Sequence, residues 1–148
     1  MSNSPKNVII FGFAISAIVC VSVIVLSMSS ADCGWHGVAI TYMDVNENNH
    51  FDGDDSILPG VPVHVDDIHN HYTDVAYHAV TDQNGITHLD VFIAGCPTVD
   101  FEVYANTPAG YKLTTAARLH VKKDFFGSLD TDTTYYFGFA ALKQKPKP

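Results

Sequence analysis

The chain has 148 residues, enough for about one domain, with 16 Asp and Glu against 8 Lys and Arg, and 47% of it is hydrophobic. Between Asp32 and Tyr111 there are 13 acidic residues and no Lys or Arg. Such an acidic surface suits cations and excludes nucleic acid as a partner, because binding to nucleic acid requires clustered basic side chains.

The first 31 residues differ in composition from the rest. Residues 8–26 form an apolar run of 19 residues without a charged side chain, close to the roughly 20 residues with which a helix spans a bilayer. The small residues Ser29 and Ala31 also fit cleavage of a signal peptide. We predict one N-terminal hydrophobic helix within residues 1–31 and favour an anchor over a removable signal because the run is long. Both interpretations place the later residues outside the cytoplasm, either membrane-anchored or secreted.

The segment DVNENNHFDGDD, residues 44–55, carries side-chain oxygens at its first, third, fifth, ninth and twelfth positions. Calcium takes six to eight oxygen ligands from flexible loops of this length. The spacing therefore predicts a Ca²⁺ site, with a solvated acidic loop as the alternative. The predicted ligands are the side chains of Asp44, Asn46, Asn48 and Asp55 and the backbone carbonyl of His50. Asp52 would bind either through a water molecule or directly. Asp130 and Asp132, in a later loop, are candidate ligands for this site or for a second one.

Alternating apolar and polar residues predict strands through the remainder of the chain. The pattern occurs at residues 38–43, 61–66, 75–81, 88–93, 99–103, 111–115, 118–122 and 134–142. Asn84-Gly85 predicts a tight turn before the fourth of these strands. No stretch after residue 31 repeats apolar residues at helical spacing over three turns. Short strands separated by turns indicate an all-β protein, an antiparallel β-sandwich.

Cys33 and Cys96 are the only cysteines after residue 31. They flank the first and fourth predicted strands, so they meet if those strands are antiparallel neighbours. We expect a disulfide, which would close a loop of about 60 residues and stabilise the fold by roughly 4 kcal/mol. The alternative is a pair of buried free thiols.

Histidines are frequent, and five of the eight lie within residues 64–88. His69 and His71 would share one face of an extended segment, and such pairs can chelate zinc or copper. Their spacing matches no zinc motif, and the simpler interpretation is polar residues on strand exteriors and in a loop. A His-rich transition-metal-binding protein is therefore the second functional hypothesis.

Four motifs follow one another in a recognisable order. The acidic loop at 44–55 is followed by LPGVPVHV at 58–65, TDQNG at 81–85 and FEVYANTPAGY at 101–111. This order resembles the SdrD B-type (Cna B-like, prealbumin-like) domain of bacterial surface proteins over residues 37–142. The resemblance implies a Greek-key β-sandwich, stiffened by calcium, with a non-catalytic, adhesin-like role. The Lys–Asn crosslink of some members is not expected, because the first strand has no Lys and the last has no Asn.

The predicted organisation has three parts: an anchor or signal at 1–31, the β-sandwich at 32–142 and a basic Pro/Lys tail at 143–148. The predicted function is a calcium-binding domain at the cell surface with a structural or interaction role, a protein partner there and a membrane contact through the N-terminal helix. A third hypothesis is an accessory subunit of a membrane complex. Small residues suited to helix packing support it: Gly12, Ala14, Ser16 and Ala17.

An enzyme is not expected, because the chain contains none of the common catalytic motifs. Iron-dependent catechol dioxygenases share a prealbumin-like core and bind iron through two Tyr and two His. Tyr72, Tyr77, His69 and His71 supply these residue types. The insertions that build that active site cannot fit in a domain this short.

Overall fold

The computed structural model describes residues 32–123 and 133–143, and these residues form eight strands and no helix. The strands are β1 (Asp32–Met43), β2 (Ser56–Ile57), β3 (Val63–Asp67), β4 (Ile86–Ala94), β5 (Val99–Ala105), β6 (Tyr111–Leu113), β7 (Leu119–Lys123) and β8 (Thr133–Ala141). The all-β prediction is confirmed for this part of the chain. Within it, no helix is long and apolar enough to cross a membrane. The predicted N-terminal helix, Asp130, Asp132 and residues 144–148 lie outside the described residues.

The strands form two sheets. In the five-stranded sheet, β1 pairs with β4 and β2 along one edge and with β8 along the other, and β6 lies beyond β8. The second sheet has the order β3-β5-β7. The β1–β8 pair is parallel, with Gly37 opposite Thr133, whereas the other pairs described are antiparallel. The prediction of a wholly antiparallel sandwich is therefore wrong at this pair.

The core lies between the two sheets. Along β3 and β5 every second side chain is buried, as expected when one face of a strand packs inward. Trp35 on β1 is buried and meets Phe101 on β5, with their ring centroids 5.1 Å apart. Tyr135 on β8 lies 6.0 Å from the same Trp ring. The contact between Trp35 and Phe101, which joins the two sheets, confirms the predicted β-sandwich.

The predicted strand at residues 75–81 is absent. Val80 makes a single bridge, to Pro62, and no ladder extends from it. Tyr77 and His78 have φ angles of 44° and 55°, in the left-handed region, which is incompatible with an extended strand. The alternation of apolar residues in this segment therefore does not correspond to a strand.

The predicted turn before β4 is present. Gly85 has a φ of 68°, and its amide donates to the carbonyl of Asp82 at 3.0 Å. The Asp82 carboxylate accepts hydrogen bonds from the amides of Asn84 and Ile86, at 2.8 and 3.0 Å. A Cβ atom at Gly85 would lie 2.6 Å from the carbonyl oxygen of Thr41. Glycine is thus required here by both the φ angle and the close approach to β1.

The disulfide between Cys33 and Cys96 is present, as predicted. Their Cα atoms are 5.0 Å apart. The antiparallel β1–β4 pair places Cys33 opposite Ile93, which brings Cys96, just beyond the end of β4, next to the beginning of β1. Cys96 is buried, and the disulfide joins the beginning of β1 to the segment just after β4 in the same sheet.

Removing the disulfide should destabilise the fold without changing it. We expect Cys33→Ala combined with Cys96→Ala to lower the free energy of unfolding by about 4 kcal/mol, because the link constrains the unfolded chain. Urea unfolding of the parent and the double variant measures this difference. Reductant should shift the midpoint of the parent and leave that of the double variant unchanged. Equal midpoints for the parent and the double variant without reductant would contradict the stabilising role of the disulfide.

Candidate metal centre

The acidic loop, residues 44–55, lies at the end of β1 that is far from the disulfide. It leaves the sheet after Met43 and returns at β2, which pairs with Tyr42 and Met43. The amide of Asp44 donates to the carbonyl of Phe139 on β8 at 2.9 Å, continuing the parallel ladder by one bond. The first residue of the loop is therefore held by the sheet.

Asp44 is a buried carboxylate, 1% exposed. Its Oδ1 accepts a hydrogen bond from the amide of Asn48 at 3.0 Å, and its Oδ2 accepts one from the amide of Asn49 at 2.9 Å. Burial acts to raise the pKa of Asp44, but the nearby Thr114 hydroxyl and the loop amides outweigh it and hold the pKa below its usual value. Asp44 therefore remains ionised although it is shielded from water.

Asn46, Asn48 and Asp52 are linked to one another by hydrogen bonds. The Oδ1 atoms of Asn46 and Asn48 accept from backbone amides two residues further along, at 3.1 and 2.8 Å. Their Nδ2 atoms both donate to Asp52 Oδ2, at 3.3 and 2.7 Å. These bonds help to hold the pKa of Asp52 below its usual value; the largest contribution is the bond from the Asp54 amide. The His50 backbone lies in the same turn, and its amide donates to Asn48.

Asp55 closes the loop. Its Oδ1 accepts from the amide of Val45 at 3.1 Å, and its Oδ2 accepts from the amide of Asp52 at 3.0 Å. One carboxylate thus joins the beginning of the loop to its end. Asp55 therefore closes the loop through hydrogen bonds from backbone amides. Its role as the closing Ca²⁺ ligand stays a prediction.

The loop carboxylates concentrate negative charge beside Tyr42. Burial is the largest cause that raises the pKa of Tyr42 to about 12, and the negative charges of three loop carboxylates add to it. These three are Asp44, Asp55 and Asp52. Asp44, Asp52 and Asp55 therefore all lie close enough to the Tyr42 hydroxyl for their charges to act on it.

Two residues that support this site carry no signal in the sequence pattern. A Cβ atom at Gly138 on β8 would lie 2.7 Å from both the Thr114 Oγ1 and the Tyr42 hydroxyl, so glycine makes room for both side chains. Thr114 in turn lowers the pKa of Asp44. Thr114 and Gly138 are distant from Asp44 in the chain, and the β1–β8 and β6–β8 pairings bring them near it.

The donor set fits calcium in chemistry, because carboxylate and amide oxygens are the ligands that Ca²⁺ prefers. The side chains are not gathered into a closed cage: among residues 32–123 and 133–143, no three His, Cys, Asp or Glu side chains are grouped closely enough to hold a metal ion. Binding would require Asn46 and Asn48 to release Asp52 and turn their oxygens inward. The loop therefore contains the donors in the predicted order but holds them by internal hydrogen bonds.

His69 and His71 lie in the turn that follows β3, not in an extended segment. His71 has a φ of 60°, so the geometry that would place both rings on one face is absent. This premise of the transition-metal prediction is wrong. Other histidines contact carboxylates instead, with His36 Nδ1 2.7 Å from Asp90 Oδ1.

Comparisons with known proteins add little to these observations. No family model matches the chain, and no curated protein sequence matches it significantly. The minor pilin GBS52 of Streptococcus agalactiae is similar in structure at 17% identity and a TM-score of 0.47, over 78% of this chain and 48% of that one. A streptococcal ancillary pilin is similar at 15% identity and a TM-score of 0.45, over 74% of this chain and 33% of that one. This chain thus spans about half and a third of those proteins, and the similarity is too low to establish a shared fold.

Asp44→Asn should weaken the fold in a pH-dependent way. With metal removed by chelator, we expect a loss of about 1–3 kcal/mol near neutral pH, because an amide cannot accept both backbone hydrogen bonds. The folded-state pKa of Asp44 is depressed, so its contribution is fully present above the unfolded-state pKa and is lost as pH falls through the folded-state pKa. Urea unfolding across this pH range measures the difference.

Asp54→Asn is the matched control. It removes the same charge from the same loop, and its carboxylate accepts none of the loop hydrogen bonds described above. It should change stability little at any pH. If the difference in free energy of unfolding between the parent and Asp44→Asn persisted unchanged below the folded-state pKa, the ionised Asp44 carboxylate would not be its cause.

Proposed function

We propose that this chain is an extracytoplasmic Cna B-like domain with Greek-key connections, tethered to the membrane, that binds Ca²⁺ in the acidic loop. Its role is structural or interactive at the cell surface, with a protein partner and without catalysis. The observation that carries the proposal is the buried Asp44 carboxylate at the start of a loop whose other carboxylates, Asp52 and Asp55, are tied to the same loop by hydrogen bonds.

The charge of the loop supports a cation as its ligand. Residues 44–55 contain no Lys or Arg. In the described part of the chain, the one ion pair with a Lys or Arg at this loop joins Lys112 to Glu47, at 2.6 Å, and Glu47 is not among the proposed ligands. The carboxylates of Asp44, Asp52 and Asp55 therefore have no basic side chain as an ion-pair partner there.

The proposed ligands are those expected from the spacing. Asp44, Asp52 and Asp55 would contribute carboxylate oxygens, Asn46 and Asn48 would contribute amide oxygens, and His50 would contribute its backbone carbonyl. When bound, Ca²⁺ supplies the positive charge that offsets the repulsion among the carboxylates. The protein supplies a loop with both ends fixed on β1 and β2, so binding would stiffen the edge of the sandwich.

Two features support a location outside the cytoplasm. The disulfide between Cys33 and Cys96 is of a kind that persists in oxidising compartments and is rare in the cytosol. The apolar run at 8–26 has the length of a membrane span. Calcium is plentiful outside cells, and domains there function with dissociation constants of roughly 10⁻⁴ to 10⁻³ M.

Calcium should raise the thermal stability of the full chain in mild detergent. At a concentration 100 times the dissociation constant, binding to the folded state adds about 2.7 kcal/mol. Thermal unfolding in chelator, in Ca²⁺ and in Mg²⁺ measures the effect, and we expect the largest rise in melting temperature with Ca²⁺.

Two loop variants make this test specific. Asp55→Asn should abolish the rise in melting temperature, because it replaces a charged ligand that offers two oxygens with a neutral amide that offers one. Asp54→Asn should retain it, because Asp54 is not a proposed ligand although it lies in the same loop. A parent protein with the same melting temperature in chelator and in Ca²⁺, or a rise that survives in Asp55→Asn, would contradict the proposal.

A further inference from the structure

The end of the sandwich near the disulfide carries the most exposed aromatic side chains of the described residues. Tyr77 is 81% exposed, Phe92 is 75% exposed and Tyr72 is 59% exposed. These three rings line a groove of about 500 Å³ whose walls also include Thr73 and Pro97. Exposed apolar surface of this kind on a soluble domain usually marks a contact with a partner or a membrane.

The backbone holds one wall of the groove, residues 72–78, in an unusual conformation. Asp74 and Tyr77 have φ angles of 52° and 44°, in a region that residues other than glycine rarely adopt and that is unusual for a bulky side chain. The segment is fixed to β3, since the amide of Val75 donates to the carbonyl of Val65 at 2.7 Å. The exposure of Tyr77 is therefore imposed by the fold, and such strain is concentrated at functional surfaces.

The chain enters the sandwich at this same end. Asp32, the first residue of β1, is paired with Ala94 on β4, and Ala94 lines the groove beside Phe92. Only residues 27–31 separate Asp32 from the apolar run at 8–26, and five residues extend over about 17 Å at most. If the run spans a bilayer, the groove is held within that distance of the lipid.

We propose that the groove of Tyr72, Tyr77 and Phe92 rests on the membrane surface, with its aromatic rings among the lipid headgroups. This inference rests on the proposed membrane tether. Aromatic side chains, Tyr in particular, are enriched at this depth because an apolar ring and a polar tip match the interface.

Charge selects the kind of lipid surface. Residues 32–111 contain no Lys or Arg. Asp74 follows Thr73 in the groove wall, and Asp90 precedes Phe92 by two residues on the same side of β4. Carboxylates at these positions are repelled by anionic lipids, so the contact suits a zwitterionic surface.

The orientation places the acidic loop far from the bilayer. β1 has 12 residues and so extends over about 40 Å. The groove lies at its beginning and the loop at its end. A domain that rests on the groove therefore holds the loop toward the aqueous phase, where calcium and a protein partner are accessible.

Lipid-dependent fluorescence quenching tests this orientation. Full-length Tyr77→Trp and Phe92→Trp would be placed in nanodiscs of phosphatidylcholine that carry bromine on the lipid chains near the headgroup. The buried Trp35 is common to all proteins, and the parent corrects for it. Phe51→Trp, in the acidic loop, is the matched control.

We expect brominated lipid to quench the fluorescence of Tyr77→Trp and Phe92→Trp and to leave that of Phe51→Trp at the level of the parent. Phosphatidylserine in the nanodisc should reduce the quenching at 77 and 92.

The outcomes separate the contact from the tether. A chain that keeps residues 1–31 by intact mass and stays with the nanodisc, but shows no quenching at 77 and 92, overturns the membrane contact alone. Equal quenching at 51, 77 and 92 also overturns it, as does protection from an aqueous quencher without lipid quenching, the result expected if a second copy covers the groove. Loss of residues 1–31 overturns the tether and the contact together.

Discussion

Both ends of the molecule depend on strand β1. It lies inside the five-stranded sheet, with β4 and β2 along one edge and β8 along the other, so backbone hydrogen bonds hold it on both sides. Cys33, the second residue of the strand, forms the disulfide, and Asp44 follows the end of the strand at the acidic loop. Trp35 on the same strand packs on Phe101 of the opposite sheet. The positions of the disulfide, the core and the loop are thus linked through one strand.

The acidic loop shows how burial and charge are balanced at the end of that strand. Burying an ionised carboxylate costs free energy unless hydrogen bonds compensate it, and Asp44 receives such bonds from two loop amides. Those bonds satisfy Asp44 but leave the mutual repulsion of the loop carboxylates in place. A divalent cation would reduce this repulsion directly, which is the physical basis of the proposed Ca²⁺ site.

The sequence predicts where strands and the acidic loop lie along the chain, but not which strands and residues they contact in the fold. Alternation predicts β3 and β5 because each buries one face. Aromatic residues at every second position predict β8, although that strand buries residues 137–140 in succession. The oxygen spacing places Asp44 and Asp55 at the two ends of the loop. Alternation does not specify the neighbour or direction of a strand, so the parallel β1–β8 pair was missed, and β2, with two residues, is too short to show a period. The segment at 75–81 alternates like a strand, but left-handed residues along it prevent a ladder. Thr114 and Gly138 reach Asp44 only through the folded sheet.

Equilibrium dialysis of the full chain against millimolar Ca²⁺, followed by metal analysis, tests the proposed Ca²⁺ site without reference to stability. We expect one bound Ca²⁺ per chain in the parent and in Asp54→Asn, and none in Asp44→Asn. No bound Ca²⁺ in the parent, or equal binding by Asp44→Asn, would contradict the proposed site.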